Sequence, residues 1–153
     1  MSLLIRVQKI DITFLTFVLT IIFPITHAAA EPNKVQYELQ ERCGKRAEDS
    51  FRREYGNGIS NTETGQNITS FQNHYSATLN KCFFLEIVTS VNYKETPKNM
   101  STMMTLFDLN DHKEYGEYFK RSQDSIPFIC TVQDQICHSE AEWRELLKPY
   151  MEN

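Results

Sequence analysis

The stretch Cys82-Phe83-Phe84-Leu85-Glu86-Ile87-Val88-Thr89-Ser90-Val91 decides the fold class. It is rich in β-branched and aromatic residues and too short for a typical helix. Successive strand residues point to opposite faces. Phe83, Leu85, Ile87, Thr89 and Val91 therefore line one face, and Cys82, Phe84, Glu86, Val88 and Ser90 the other. A strand this apolar on both faces belongs in the middle of a sheet, with a helix covering one side.

Working outward, Asn80-Lys81 reads as a turn before this strand, preceded by Phe71, His74, Tyr75 and Leu79. The polar stretch 60–69, with Gly65 inside it, reads as a loop. On the other side, residues 94–99 with Pro97 read as a loop. Residues 103–109 read as a strand ending in an Asn110-Asp111 turn. Residues 114–121 suit an edge strand or irregular structure. Residues 126–132 suit a last strand, with Pro127 placing it at an edge or a strand start.

Helices flank this β region. In residues 33–55, Val35, Leu39, Cys43, Ala47, Phe51 and Tyr55 recur every fourth residue, and charged side chains fill the other faces. A strict four-residue step makes such a stripe wind slowly around the helix axis. Gly56-Asn57-Gly58 then offers residues that tolerate a left-handed backbone. Near the C-terminus, Ser139 and Glu142 form a capping box, in which each side chain accepts from the other residue's backbone N–H. Trp143, Leu146, Leu147 and Tyr150 make that helix's apolar face. The expected fold is α+β: an N-terminal helix, an antiparallel meander of three to four strands, a short C-terminal helix and two disulfides.

The first thirty residues carry an export signal. Arg6 and Lys9 precede a nearly unbroken apolar run over 12–25, and Ala28-Ala29-Ala30 precedes Glu31. This is the pattern of a secretory signal peptide over 1–30 with an A-x-A cleavage site. The run is shorter than the roughly 20 residues a spanning helix needs, and Pro24 interrupts its end. No stable membrane insertion is therefore expected after cleavage. The first cysteine, Cys43, is too far on to take a lipid at the cleavage site. A single domain over 31–153 is left, located in the periplasm or secreted. Losing Arg6, Lys9 and Asp11 takes the 16 basic residues to 14 and the 20 acidic to 19, net −5 with neutral histidines. That balance argues against nucleic acid and anionic membranes, both of which need clustered Lys and Arg.

Cys43, Cys82, Cys130 and Cys137 are an even set facing an oxidising compartment. Four cysteines allow three pairings. Loop entropy favours Cys130–Cys137, which leaves Cys43–Cys82 to tie the first helix to the central strand. There is no C-x2-C pair, and His138 directly follows Cys137, so the cysteines do not read as a metal site.

The sequence offers no catalytic residue, metal-ligand set or cofactor motif. His74-Tyr75 lies near Cys82, but a Cys–His nucleophilic pair needs a free thiolate. Asp108-Leu109-Asn110-Asp111-His112 resembles the start of a calcium loop. Lys113 stands where that loop needs glycine, and Phe119 where it needs a bidentate glutamate. Glu86 interrupts an apolar strand, and a buried carboxylate can serve acid–base work. Its structural alternative is to face solvent at a strand end or to pair with Lys81. The eleven aromatic residues Tyr55, Phe71, Tyr75, Phe83, Phe84, Tyr93, Phe107, Tyr115, Tyr118, Phe119 and Phe128 exceed what a small core holds. Some are expected at the surface as a contact patch, best placed at 115–119. The candidate binding residues are Tyr115, Tyr118, Phe119, His74 and Tyr75. Asn67-Ile-Thr and Asn99-Met-Ser are glycosylation sequons in predicted loops, meaningful in a eukaryote.

Four groups of residues together carry a resemblance: Cys43…Ala47…Phe51; His74-Tyr75…Leu79-Asn80-Lys81-Cys82-Phe83; Cys130…Cys137-His-Ser-Glu; and Lys148-Pro-Tyr-Met-Glu152. The chain resembles a group of small exported bacterial proteins of unknown function over most of 37–152. The resemblance implies a bacterial, periplasmic setting and transfers no catalytic residue. The leading expectation is a non-enzymatic protein that binds an envelope or secreted protein or a ligand. The alternative is an envelope-acting hydrolase using a carboxylate such as Glu86.

Overall fold

The apolar strand at the centre of the sequence is the third of seven. A computed structural model describes residues 34–95 and 99–152. The signal peptide expected over 1–30 and part of the loop expected over 94–99 lie outside the described residues. The described elements run α1 (Lys34–Tyr55), β1 (Ile59–Asn61), β2 (Gly65–Ser76), β3 (Lys81–Asn92), β4 (Asn99–Asp108), β5 (Glu114–Arg121), β6 (Ile129–Val132), β7 (Gln135–Ile136) and α2 (Glu140–Met151). Every strand pairs antiparallel with its neighbour in sequence, giving one meander in the order β1 to β7. This corrects the three to four strands expected. The two helices, the antiparallel sheet and the α+β class stand.

The missing strands are polar ones. Residues 60–69 were expected to be a loop because they lack apolar alternation. Instead β2 pairs with β3 along its whole length, from Gly65↔Asn92 to Ser76↔Lys81. Ladder hydrogen bonds come from the backbone, so a polar segment can be extended by a strong neighbour. Two glycines make this arrangement possible. Gly58 sits at φ +77°, and a Cβ there would lie 2.4 Å from the Thr69 carbonyl oxygen. At Gly65 a Cβ would lie 1.8 Å from the Val91 carbonyl oxygen, so only glycine lets the two backbones approach.

Both faces of β3 are covered, one by each helix. On one face, Cys82 and Phe84 pack with Cys43 and Ala47 of α1 and with Tyr75 and Leu109. On the other, Phe83 and Leu85 pack with Met104, Leu106, Tyr118 and Val132 under Trp143 and Leu147 of α2. The helix cover expected on one side is thus present on both, and the layers are helix, sheet, helix. The winding of the α1 stripe shows at its start. Cys43 and Ala47 are buried and Leu39 and Phe51 pack beside them, while Val35 is exposed.

The disulfides join Cys43 to Cys82 and Cys130 to Cys137. The first pins α1 to β3, and the second closes the β6–β7 hairpin. Two such bonds suit an oxidising environment. Ser139 caps α2, its Oγ accepting from the Glu142 N–H at 3.2 Å. The Glu142 carboxylate accepts from His138 N–H at 2.8 Å, where the capping box had expected the N–H of Ser139. No described helix is long and apolar enough to cross a membrane.

Candidate functional site

Most of the aromatic residues are inside. On the α1 face they form a continuous run: Phe51–Phe71 at 4.8 Å, Phe71–Phe84 at 5.1 Å and Phe84–Phe107 at 5.1 Å between ring centroids. On the α2 face Phe83 packs edge-on against Tyr115 and Tyr150. The core therefore takes more aromatic volume than the sequence argument allowed, because both faces of the sheet hold a layer.

This placement changes the standing of the candidate binding residues. Tyr118 is 1 % exposed and packs on Trp143, so it is a core residue and no part of a surface patch. Tyr115 is half-buried against Phe83 and Tyr150, with the ammonium groups of Lys81 and Lys113 over its ring. His74 is buried on the α2 side, paired across from Phe83, and its Nε2 has no hydrogen-bond partner. Burial holds its pKa below the ordinary histidine value. Tyr75 is buried on the α1 side. Its N–H donates to Gln40 Oε1 at 2.8 Å, and its hydroxyl donates to Asn80 Oδ1 at 2.7 Å. Phe119, half-buried, is the one of the five that shares the row of Met103 and Ile129, on the sheet face opposite Tyr118.

Half of that sheet face is open. Helix α1 packs chiefly on β2 and β3. The register carries the same face outward along the rows Val88–Met103–Phe119–Ile129 and Glu86–Thr105–Glu117–Thr131–Ile136. Over β4 to β7 no described helix covers these rows. Met103 is 40 % exposed, Ile136 75 % and Phe128 76 %. The Phe128 ring stands edge-on to Phe119 at 6.3 Å, which puts it on this face. Phe119, Phe128, Met103, Ile129 and Ile136 thus share one patch. The sequence reading identified Phe119 and grouped Phe128 with the aromatics. It missed the aliphatic members, because only the register shows which residues line up across four strands.

Glu86 lies in mid-strand, half-buried, and faces the C-terminal end of α1. It lines a cavity of about 240 Å³ with Glu54, Tyr55, His112 and Glu114. The expected alternatives, solvent at a strand end or a pair with Lys81, are both replaced. Burial, together with the neighbouring Glu86 and Glu54 carboxylates, pushes the Tyr55 pKa well above the ordinary tyrosine value.

Lys81 pairs instead with Asp108 at 2.6 Å and Asp111 at 3.2 Å. Bonding to the buried Asp108 carboxylate pushes the Lys81 ammonium above its usual range. Asp108 Oδ1 accepts from Asn110 N–H, and Asp111 Oδ1 accepts from Lys113 N–H. The oxygens that resembled a calcium loop are thus used to tie a hairpin turn. No group of three or more His, Cys, Asp or Glu among the described residues is arranged to hold a metal. Asn67 and Asn99, expected in loops, are in paired strands β2 and β4.

Compared with known proteins, the chain matches no family model, no curated protein and no solved structure.

Proposed function

We propose that this is a non-enzymatic exported protein, periplasmic or secreted, that works by binding an envelope or secreted protein through the open half of its sheet. The observation that carries the reading is the solvent-facing group Met103, Phe128 and Ile136, set beside Phe119 and Ile129 on one face. Exposed aromatic and aliphatic side chains that abut one another, with polar residues such as Glu117 and Thr131 among them, have the make-up of a protein interface core. The Cys130–Cys137 disulfide holds the β6–β7 hairpin that carries Ile129 and Ile136, which limits the ordering cost of association. The resemblance to small exported bacterial proteins agrees with an envelope setting.

The test is retention of a partner. The mature protein is immobilised and exposed to cell-envelope extract alongside a Phe128→Glu/Ile136→Glu variant. A partner held by the parent and lost by the folded variant supports the reading. A parent that stays monomeric and retains nothing refutes it.

One observation favours a second reading, an envelope hydrolase. Glu86 shares its cavity with Glu54, Glu114 and His112, groups able to exchange protons. Glu86→Gln would abolish any hydrolysis of envelope material by the parent. Unchanged hydrolysis removes this reading.

A further inference from the structure

Beyond the apolar patch, the same face of the sheet ends in a polar cleft. Asn67 of β2, Ser90 of β3, Ser101 of β4 and Arg121 of β5 stand in one register row across four adjacent strands. Their backbones are spaced by the strand separation of about 4.8 Å. Asn92 and Asn99 face each other in a neighbouring row. With Thr62, Thr64, Glu95 and the Phe119 side chain, these residues line an open cleft of about 350 Å³.

The row is notable for what it leaves unused. Among the described residues, no hydrogen bond engages the side chains of Asn67, Ser90 or Ser101. Asn99 Oδ1 is shielded from solvent and unpartnered. Sheltered polar atoms are normally satisfied, so Asn99 Oδ1 calls for an explanation, while the half-buried Asn67, Ser90 and Ser101 beside it reach solvent and are open to a ligand. The one cation of the cleft is already paired, Arg121 Nε donating to Asp124 at 2.9 Å, and the Glu95 carboxylate accepts from Asn92 Nδ2 at 2.8 Å.

We propose that this cleft binds a neutral saccharide. Amides and hydroxyls each donate and accept, as sugar hydroxyls do. An anion would need unpaired donors and cations, but Arg121 is neutralised and Glu95 stands on the wall. A metal cation would need more than one carboxylate. An apolar ligand would strand the amides without partners. The Phe119 ring supplies an apolar surface for the C–H face of a pyranose, and the idle amides and hydroxyls fix its orientation. Phe119 borders both this cleft and the protein-binding patch, but Asn67, Ser90, Asn99 and Ser101 belong to the cleft alone, so substitutions there test this proposal separately.

The test is a titration of the disulfide-bonded mature protein, made in a bacterial periplasm so that Asn67 and Asn99 stay unmodified. Amide shifts are followed by NMR with chitotetraose, cellotetraose and maltotetraose, and with inorganic phosphate as the anionic probe. Saturable shifts centred on Asn67, Ser90, Asn99 and Ser101 with at least one sugar are expected. A Ser90→Ala/Ser101→Ala variant with an unchanged fold spectrum should bind that sugar about tenfold more weakly or less, the loss expected for one or two hydrogen bonds. Ser90→Thr, which keeps a hydroxyl, guards against a variant that merely misfolds and should bind as the parent does. Saturation by phosphate alone, no saturable shift with any sugar, or equal affinity in the double-alanine variant overturns the proposal.

Discussion

The two disulfides should contribute unequally, and the difference can be worked from their loops. Cys43 and Cys82 are 39 residues apart, and Cys130 and Cys137 are 7 apart. In the chain-entropy description a cross-link removes loop freedom from the unfolded chain in proportion to the logarithm of loop length. At 25 °C this gives about 3.9 kcal/mol for the longer loop and about 2.4 kcal/mol for the shorter. All four cysteines are buried, so replacing either pair with alanine deletes two packed sulfurs. The packing losses nearly cancel in the comparison, leaving about 1.5 kcal/mol of difference from the loops. The assay is urea unfolding of the parent, Cys43→Ala/Cys82→Ala and Cys130→Ala/Cys137→Ala, with midpoint and slope fitted separately. With a slope of about 1.5 kcal/mol/M, the two variants' midpoints should lie about 1 M apart, the long-loop variant being the weaker. The slope itself should rise more in that variant, because its unfolded chain expands further once the cross-link is gone. Equal midpoints, or a larger loss from opening the short loop, would refute the reasoning.

Three further outcomes follow from particular contacts. His74 is buried with its pKa lowered, so the folded state binds fewer protons than the unfolded state as pH falls through about 6.5, the unfolded value, and stability declines. Between about pH 7.5 and 5.5 the parent should lose more stability in urea titrations than His74→Phe does, and parallel losses would show that His74 is not the group responsible. Ser139→Ala removes the acceptor for the Glu142 N–H and should cost about 1 kcal/mol in thermal or urea unfolding. Gly65→Ala places a Cβ against the Val91 carbonyl oxygen, so it should cost about 1–3 kcal/mol and speed hydrogen exchange at the β2–β3 end near Val91.

Where local periodicity spoke clearly, the sequence reading held. The apolar alternation over 82–91 became the central strand β3, and the four-residue stripe became α1. Ser139 started α2, and the loop-entropy argument selected the observed cystine pairs. The candidate site was less legible. Tyr118 and Phe119 are adjacent aromatics with the same local appearance, yet one lies under α2 and the other on the open face. Their fates depend on which face of β5 each helix covers, and nothing within 114–121 encodes that.

By itself, the sequence determined the elements that bury one stripe or alternate strongly, because hydrophobic burial leaves a periodic trace along the chain. Only the tertiary structure decided that the polar segment 65–70 would be a strand, since its ladder bonds come from the backbone of β3 and leave no side-chain signature. The same holds for the surface. Met103, Phe119, Ile129 and the idle row Asn67–Ser90–Ser101 are distant in sequence and become neighbours only through strand register, which also leaves them uncovered because α1 packs chiefly on β2 and β3.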